Sequence, residues 1–199
     1  MNYFRKIFLT CAVIIILLTT ITNSICLGIN NDKVVISTES KKIDYVKYNN
    51  SIISSKKIRD NKNYIGYCLD IHRAYPKGEE FIEIATVKDK ALKGIIANGY
   101  PNIKGQLLGL TDDEVYFATQ IAIWSYQEGY NIDKITSSNK SIESLIKSIY
   151  HKGIKEENSE VANLDVFYTS ESVQRIILIE DSASKGISDI KNDSIQQNG

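Results

Sequence analysis

Cys68 and Gln120 are the residues whose types sit least easily in their sequence surroundings. Cys68 lies in the stretch 64–72, where Ile65, Tyr67, Leu69 and Ile71 alternate with Tyr64, Gly66, Cys68, Asp70 and His72. This alternation predicts a strand and puts the thiol on one face with a carboxylate and an imidazole. A thiol so placed is either a nucleophile or a small buried apolar group. Gln120 falls within the apolar run 115–124, which predicts a helix buried nearly all round. At about 100° per residue it shares a face with Tyr116, Phe117, Ile123 and Trp124. An unsatisfied buried carboxamide costs about 1–3 kcal/mol, so Gln120 needs a partner, either a backbone group or a functional one.

A cysteine hydrolase would need an imidazole within reach of Cys68 and a third group to orient it. The chain has two histidines, His72 and His151. His72, four residues along the same strand, would stand roughly 13 Å away at ~3.3 Å per residue, too far for a direct base. His151 is not limited by distance. The nucleophile of such enzymes also usually opens a helix, where the dipole lowers its pKa. One cysteine in the body, two scattered histidines and no Cys-x-x-Cys pair give no recognisable metal-ligand set, and no cofactor is expected.

The flanks of the two residues carry more information than either alone. Tyr67-Cys68-Leu69-Asp70 has the form aromatic-Cys-apolar-acid, and 119–124 reads Thr-Gln-Ile-Ala-Ile-Trp. Together they resemble the motifs of the Gram-positive surface thioester domain family. The helix end Asn98-Gly99-Tyr100-Pro101 and the stretch 173–179, Val-Gln-Arg-Ile-Ile-Leu-Ile, are similar to further motifs of that family. The resemblance covers about 58–181. It implies a side-chain bond between Cys68 and Gln120, which lie 120 − 68 = 52 residues apart. It also implies a secreted or surface-held adhesin that captures an amine, that of a lysine side chain, on a host surface or matrix protein. That is a single-use acyl transfer rather than enzymatic turnover. Tyr67, Tyr116, Phe117 and Trp124 would shield the bond from water, and Asp70 and His72 could orient the site or move a proton. Two rival readings stand beside this one: a non-covalent extracellular binding module of the same fold, and a secreted cysteine hydrolase using His151.

The elements that must position these residues are legible in outline. Val34-Val35-Ile36 marks a first strand, and 43–48 and 51–58 read as two strands turning at Asn49-Asn50. Residues 60–63, Asp-Asn-Lys-Asn, signal another turn. Helical spacing runs over 86–98, ended by Gly99 and Pro101. Thr111-Asp112-Asp113-Glu114 is a capping-box signature that starts the helix of Gln120, which ends near Gly129. A third helix is predicted over 141–151, stopped by Gly153, and two closing strands over 163–168 and 173–180. Strands, then three helices, then strands predict an α+β domain: a mostly antiparallel, sandwich-like β framework with an inserted helical block.

Composition bounds the rest. Among 199 residues, 24 are Lys or Arg and 24 Asp or Glu, which leaves no basic surplus for nucleic acid. Residues 1–24 read as a signal peptide, with Arg5 and Lys6 before an apolar run and polar Thr22-Asn23-Ser24 after it. Membrane contact is expected only through that segment. Its removal takes Cys11 away and leaves Cys26 in a loose N-terminus, so Cys68 is the one cysteine of the folded body. The expected organisation is 1–24 signal peptide, 25–57 N-terminal strands, 58–181 thioester core and 182–199 polar tail. The tail holds no LPxTG-like motif, apolar span or basic run, which points to a fragment, a released chain or one held by a partner.

Overall fold

The structure, a computed structural model, describes residues 33–159 and 164–179. The expected signal peptide, Cys26 and the whole of the polar tail lie outside the described residues. Seven strands form one sheet in the order β2-β3-β7-β6-β4-β1-β5. They are β1 (Val34–Tyr48), β2 (Ser51–Asp60), β3 (Ile65–Cys68), β4 (Lys77–Thr86), β5 (Ile135–Thr136), β6 (Asp165–Tyr168) and β7 (Ile176–Ile179). Every strand pairing is antiparallel. β1 is long enough to pair with both β4 and β2, so the sheet closes on itself through β1. Register shifts between Thr38 and Lys42, and between Lys42 and Tyr45, bend β1 for that double role. The class is α+β, as the order of elements predicts, with a single closed sheet as its framework.

Three helices sit between β4 and β6: α1 (Lys90–Ala97), α2 (Asp112–Gln127) and α3 (Lys140–Ile154). Asp89 caps α1 by accepting the Leu92 N–H, so the helix starts four residues later than its apolar spacing predicts. Residues up to Thr86 belong instead to β4, a strand with no counterpart in the sequence reading. α2 begins with the full capping box: Thr111 Oγ1 accepts the Glu114 N–H and Glu114 Oε2 accepts the Thr111 N–H. Every residue of α2 from Val115 to Ser125 is buried, which makes it the central helix of the core. α3 runs on to Ile154, so Gly153 does not stop it. That glycine is where α3 meets α1: a Cβ on it would overlap Ile95, and one on Gly94 would press on the Gly153 backbone.

The turns fall where the sequence puts them. Asn49, in the β1–β2 turn, and Asn63, before β3, both adopt positive φ, a conformation asparagine tolerates. β2 crosses position 57/58 and pairs with both β1 and β3, so residues 34–57 share one sheet with the rest of the body. The strand predicted over 64–72 is shorter than expected. β3 ends at Cys68, and Ile71 and His72 lie in a turn.

Candidate functional site

β3 lies between β2 and β7, with Cys68 opposite Ile176. All four of its residues are buried, and the strand lies against α2 as well as its two neighbouring strands. Cys68 is 0% exposed and Gln120 is 1% exposed. The fold brings them together across 52 residues of sequence. Gln120 Oε1 accepts the Cys68 N–H at 2.9 Å, and Gln120 Nε2 donates to the Cys68 carbonyl at 2.9 Å. The carboxamide is therefore held flat against the Cys68 peptide by two bonds. Its buried donor and acceptor are both engaged, and its acyl carbon is fixed beside the cysteine.

Burial pushes the Cys68 thiol well above its ordinary range, and the nearby Asp70 charge adds to the effect. The thiol is neutral at physiological pH. No described contact joins it to a histidine. His72 projects from the turn after β3 with a side chain 79% exposed, its Nε2 standing 3.4 Å from Glu128 Oε2. It does not share a buried face with the thiol, as the predicted strand would have required. His151 is exposed near the end of α3, its ring edge-on to Tyr150. Neither histidine makes a described contact with the buried thiol.

Asp70 is engaged by Arg175. Burial raises its carboxyl, but bonds from Arg175, with the nearby Arg73 charge, outweigh this and hold it below the usual carboxylate range. Arg175 donates to it from Nε at 2.9 Å, from Nη2 at 2.6 Å and from its backbone N–H at 2.9 Å. The Leu69 N–H donates to the Arg175 carbonyl, and Gln174 Nε2 donates to the Arg73 carbonyl. Asp70 thus ties the chain just after Cys68 to the segment entering β7. Arg175 and Gln174 were legible only as part of a strand motif. Nothing in their types alone reveals that they clamp the cysteine loop.

The aromatic residues divide by task. Tyr67 and Tyr116 stack at 4.8 Å, and Tyr67 Oη donates to the Tyr100 carbonyl at 2.7 Å. Tyr116 Oη accepts the Ile58 N–H at 3.2 Å and donates to the Gly66 carbonyl at 2.8 Å. Its hydroxyl is therefore inserted into the β2–β3 ladder two residues from Cys68. Burial, with a smaller effect of Cys68, raises its pKa and keeps the phenol neutral. Phe117 and Trp124 are buried in the same core. Thr119, beside Gln120, accepts the Tyr100 N–H at 3.0 Å and so anchors the chain after α1 to α2. Gly99 permits this, since a Cβ there would overlap the Thr119 side chain. Tyr75, which the sequence reading did not single out, lies close to Cys68: burial raises its phenol and Cys68 adds to the shift.

No group of three His, Cys, Asp or Glu side chains among the described residues could hold a metal ion. No described helix is long and apolar enough to cross a membrane.

Comparison with known proteins agrees with the resemblance carried by the motifs. Residues 65–156 match the family model described as TED, thioester domain. The fold is similar to that of the Bacillus anthracis TIE protein, with a TM-score of 0.65 and 18% identity, over 73% of this chain and 46% of that one. This chain thus spans less than half of that relative. It is also similar to the N-terminal thioester domain of the fibronectin-binding protein SfbI from Streptococcus pyogenes, with a TM-score of 0.52 and 16% identity over 74% of this chain and 92% of that one. A third likeness is to the N-terminal domain of the S. pyogenes pilus tip adhesin Cpa, with a TM-score of 0.51 and 14% identity over 78% and 96% of the two chains. No curated protein matches.

Proposed function

We propose that the chain is a secreted or surface-held adhesin domain of a Gram-positive bacterium in which Cys68 and Gln120 form an internal thioester that captures an amine of a host protein. The observation that carries the reading is the pair of hydrogen bonds between the Gln120 carboxamide and the Cys68 peptide. The bonds restrict the carboxamide to one pose against the Cys68 backbone, and such proximity is what makes a slow bimolecular step fast. Sulfur attacks Gln120 Cδ, the thiol proton passes to the departing nitrogen, and ammonia leaves. As charge develops on Oε1, the Cys68 N–H is already positioned to stabilise it.

Burial serves the product as well. A neutral thioester costs little to keep in an apolar core, whereas a free thiolate there is strongly disfavoured. An incoming lysine amine then attacks the same carbon and the C–S bond breaks. A proton from the amine ends on Cys68 Sγ, and an isopeptide bond remains. Each molecule acts once, so the reaction is capture rather than turnover. Residues 1–24 act as the signal peptide in this reading, and 182–199 as a tail or linker.

The test is the intact mass of the mature protein beside a Cys68→Ala control. The wild type is expected to lack one ammonia, about 17 Da, and to gain one methylamine on treatment with that amine; the control does neither. A wild-type mass equal to the plain sequence, with native alkylation of Cys68, refutes the bond. The Gln120 amide, bonded to the Cys68 backbone, would then serve a non-covalent binding module, and a complex with its target would dissociate in denaturant.

A further inference from the structure

The reacting pair has no direct opening to solvent, yet an external amine must reach it. A cleft of about 490 Å³ is lined among others by Tyr48, Ser54, Ile71, Tyr75, Trp124 and Tyr130. Trp124 is one helical turn beyond Gln120 on the same face of α2. Tyr75 approaches the site from the loop after Cys68, and Ile71 belongs to the same loop. The cleft is thus lined by chain neighbours of both residues: Trp124 on the helix of Gln120, and Ile71 and Tyr75 in the loop after Cys68.

Its chemistry is that of a site for an alkylammonium group. The walls are aromatic, with Tyr48 and Tyr130 stacked at 4.3 Å, and such faces attract a cation while covering a hydrocarbon stem. No lysine or arginine lines the cleft. His72, also in the lining, carries Glu128 at 3.4 Å, which adds a carboxylate close to it. Trp124 is 2% exposed and its indole N–H has no hydrogen-bond partner, so the wall nearest Gln120 keeps an unused donor.

Resting on the Cys68–Gln120 reading, we propose that this cleft is the port through which a lysine side chain of the partner protein reaches the Gln120 carbonyl, with the aromatic walls and Glu128 selecting a cationic head on an alkyl stem. The lysine nitrogen, after giving up a proton to water, attacks Gln120 Cδ. The C–S bond breaks, a second amine proton ends on Cys68 Sγ, and the stem stays in the cleft as part of the amide.

The test follows capture of N-α-acetyl-lysine N-methylamide by intact mass, in the wild type and in Ser54→Trp, Glu128→Lys and Leu107→Trp. Loss of ammonia in each purified protein is recorded first. Ser54→Trp fills the cleft and is expected to slow capture about tenfold or more. Glu128→Lys reverses a charge close to the cleft and should slow it about fivefold. Leu107, 84% exposed on another part of the surface, serves as the control, and its variant should keep the wild-type rate. If the wild type shows no ammonia loss, the thioester reading falls and the port with it. If the ammonia is lost and both cleft variants capture lysine at the wild-type rate, the port alone is overturned. If Ser54→Trp does not form the bond, Glu128→Lys decides: slowed capture supports the port and an unchanged rate overturns it.

Discussion

Removing one hydroxyl from the core should be felt in both stability and bond formation. Ile58 and Gly66 are register partners in β2 and β3, but the Tyr116 hydroxyl stands between them, accepting from one at 3.2 Å and donating to the other at 2.8 Å. In Tyr116→Phe the ring still stacks on Tyr67, so packing is nearly conserved. The Ile58 N–H and the Gly66 carbonyl lose their partner in a dry core. Each such loss costs about 1–3 kcal/mol, and partial closure of the ladder recovers some of it, so a net loss of about 3 kcal/mol is expected. For a body of this size that lowers Tm by about 6–12 °C. Thermal unfolding followed by calorimetry reads this directly, and is best done in a Cys68→Ala background so that no internal bond masks the change. A Tm within about 2 °C of the parent would refute the argument that the hydroxyl is part of the ladder. With Cys68 retained, the same variant should show a smaller fraction of ammonia loss, because β3 then shifts relative to Gln120.

Other perturbations give equally definite expectations. Asp70→Asn removes a charged acceptor from Arg175 and loosens the loop after Cys68; a loss of about 2 kcal/mol in urea unfolding is expected, with slower thioester formation. The folded-state carboxyls of Asp70 and Glu143 are both lowered, Glu143 to about 2, by bonds from Arg175 in one case and from Lys140 and the Ser137 N–H in the other. Their contribution to stability is therefore present at neutral pH and is lost as pH falls from about 4 toward 2, which acid unfolding followed by circular dichroism should show. Gly99→Ala should cost about 1–3 kcal/mol by displacing Thr119, with a drop in melting temperature as the readout. Thr111→Ala removes the reciprocal cap of α2 and should cost about 1 kcal/mol in urea unfolding without changing capture by the formed bond.

How much of this was open to reading without coordinates depended on how local each signal is. The helix of Gln120 announces itself through Thr111 and Glu114, because a capping box is written within four residues. The turns at Asn49 and Asn63 are legible for the same reason. β4 is not, since only Phe81 of its ten residues reads as buried and Ile82 and Ile84 face outward. The end of β3 is likewise hidden: alternation continues through His72, but the chain turns after Cys68 where Asp70 meets Arg175, 105 residues away.

The sequence by itself determined which residue types could react, that one thiol and one carboxamide stood in apolar surroundings, and the α+β order of elements. Tertiary structure decided their relations. It set Gln120 against the Cys68 peptide, removed His72 from the site, and made Asp70 a tether. It also opened a cleft walled by Tyr48, Tyr75, Trp124 and Tyr130, which come from three separate stretches of chain. The division has a physical cause. Caps, turns and periodicity arise from forces between near neighbours in the chain, while burial, register and the meeting of distant side chains exist only once the sheet has closed around α2.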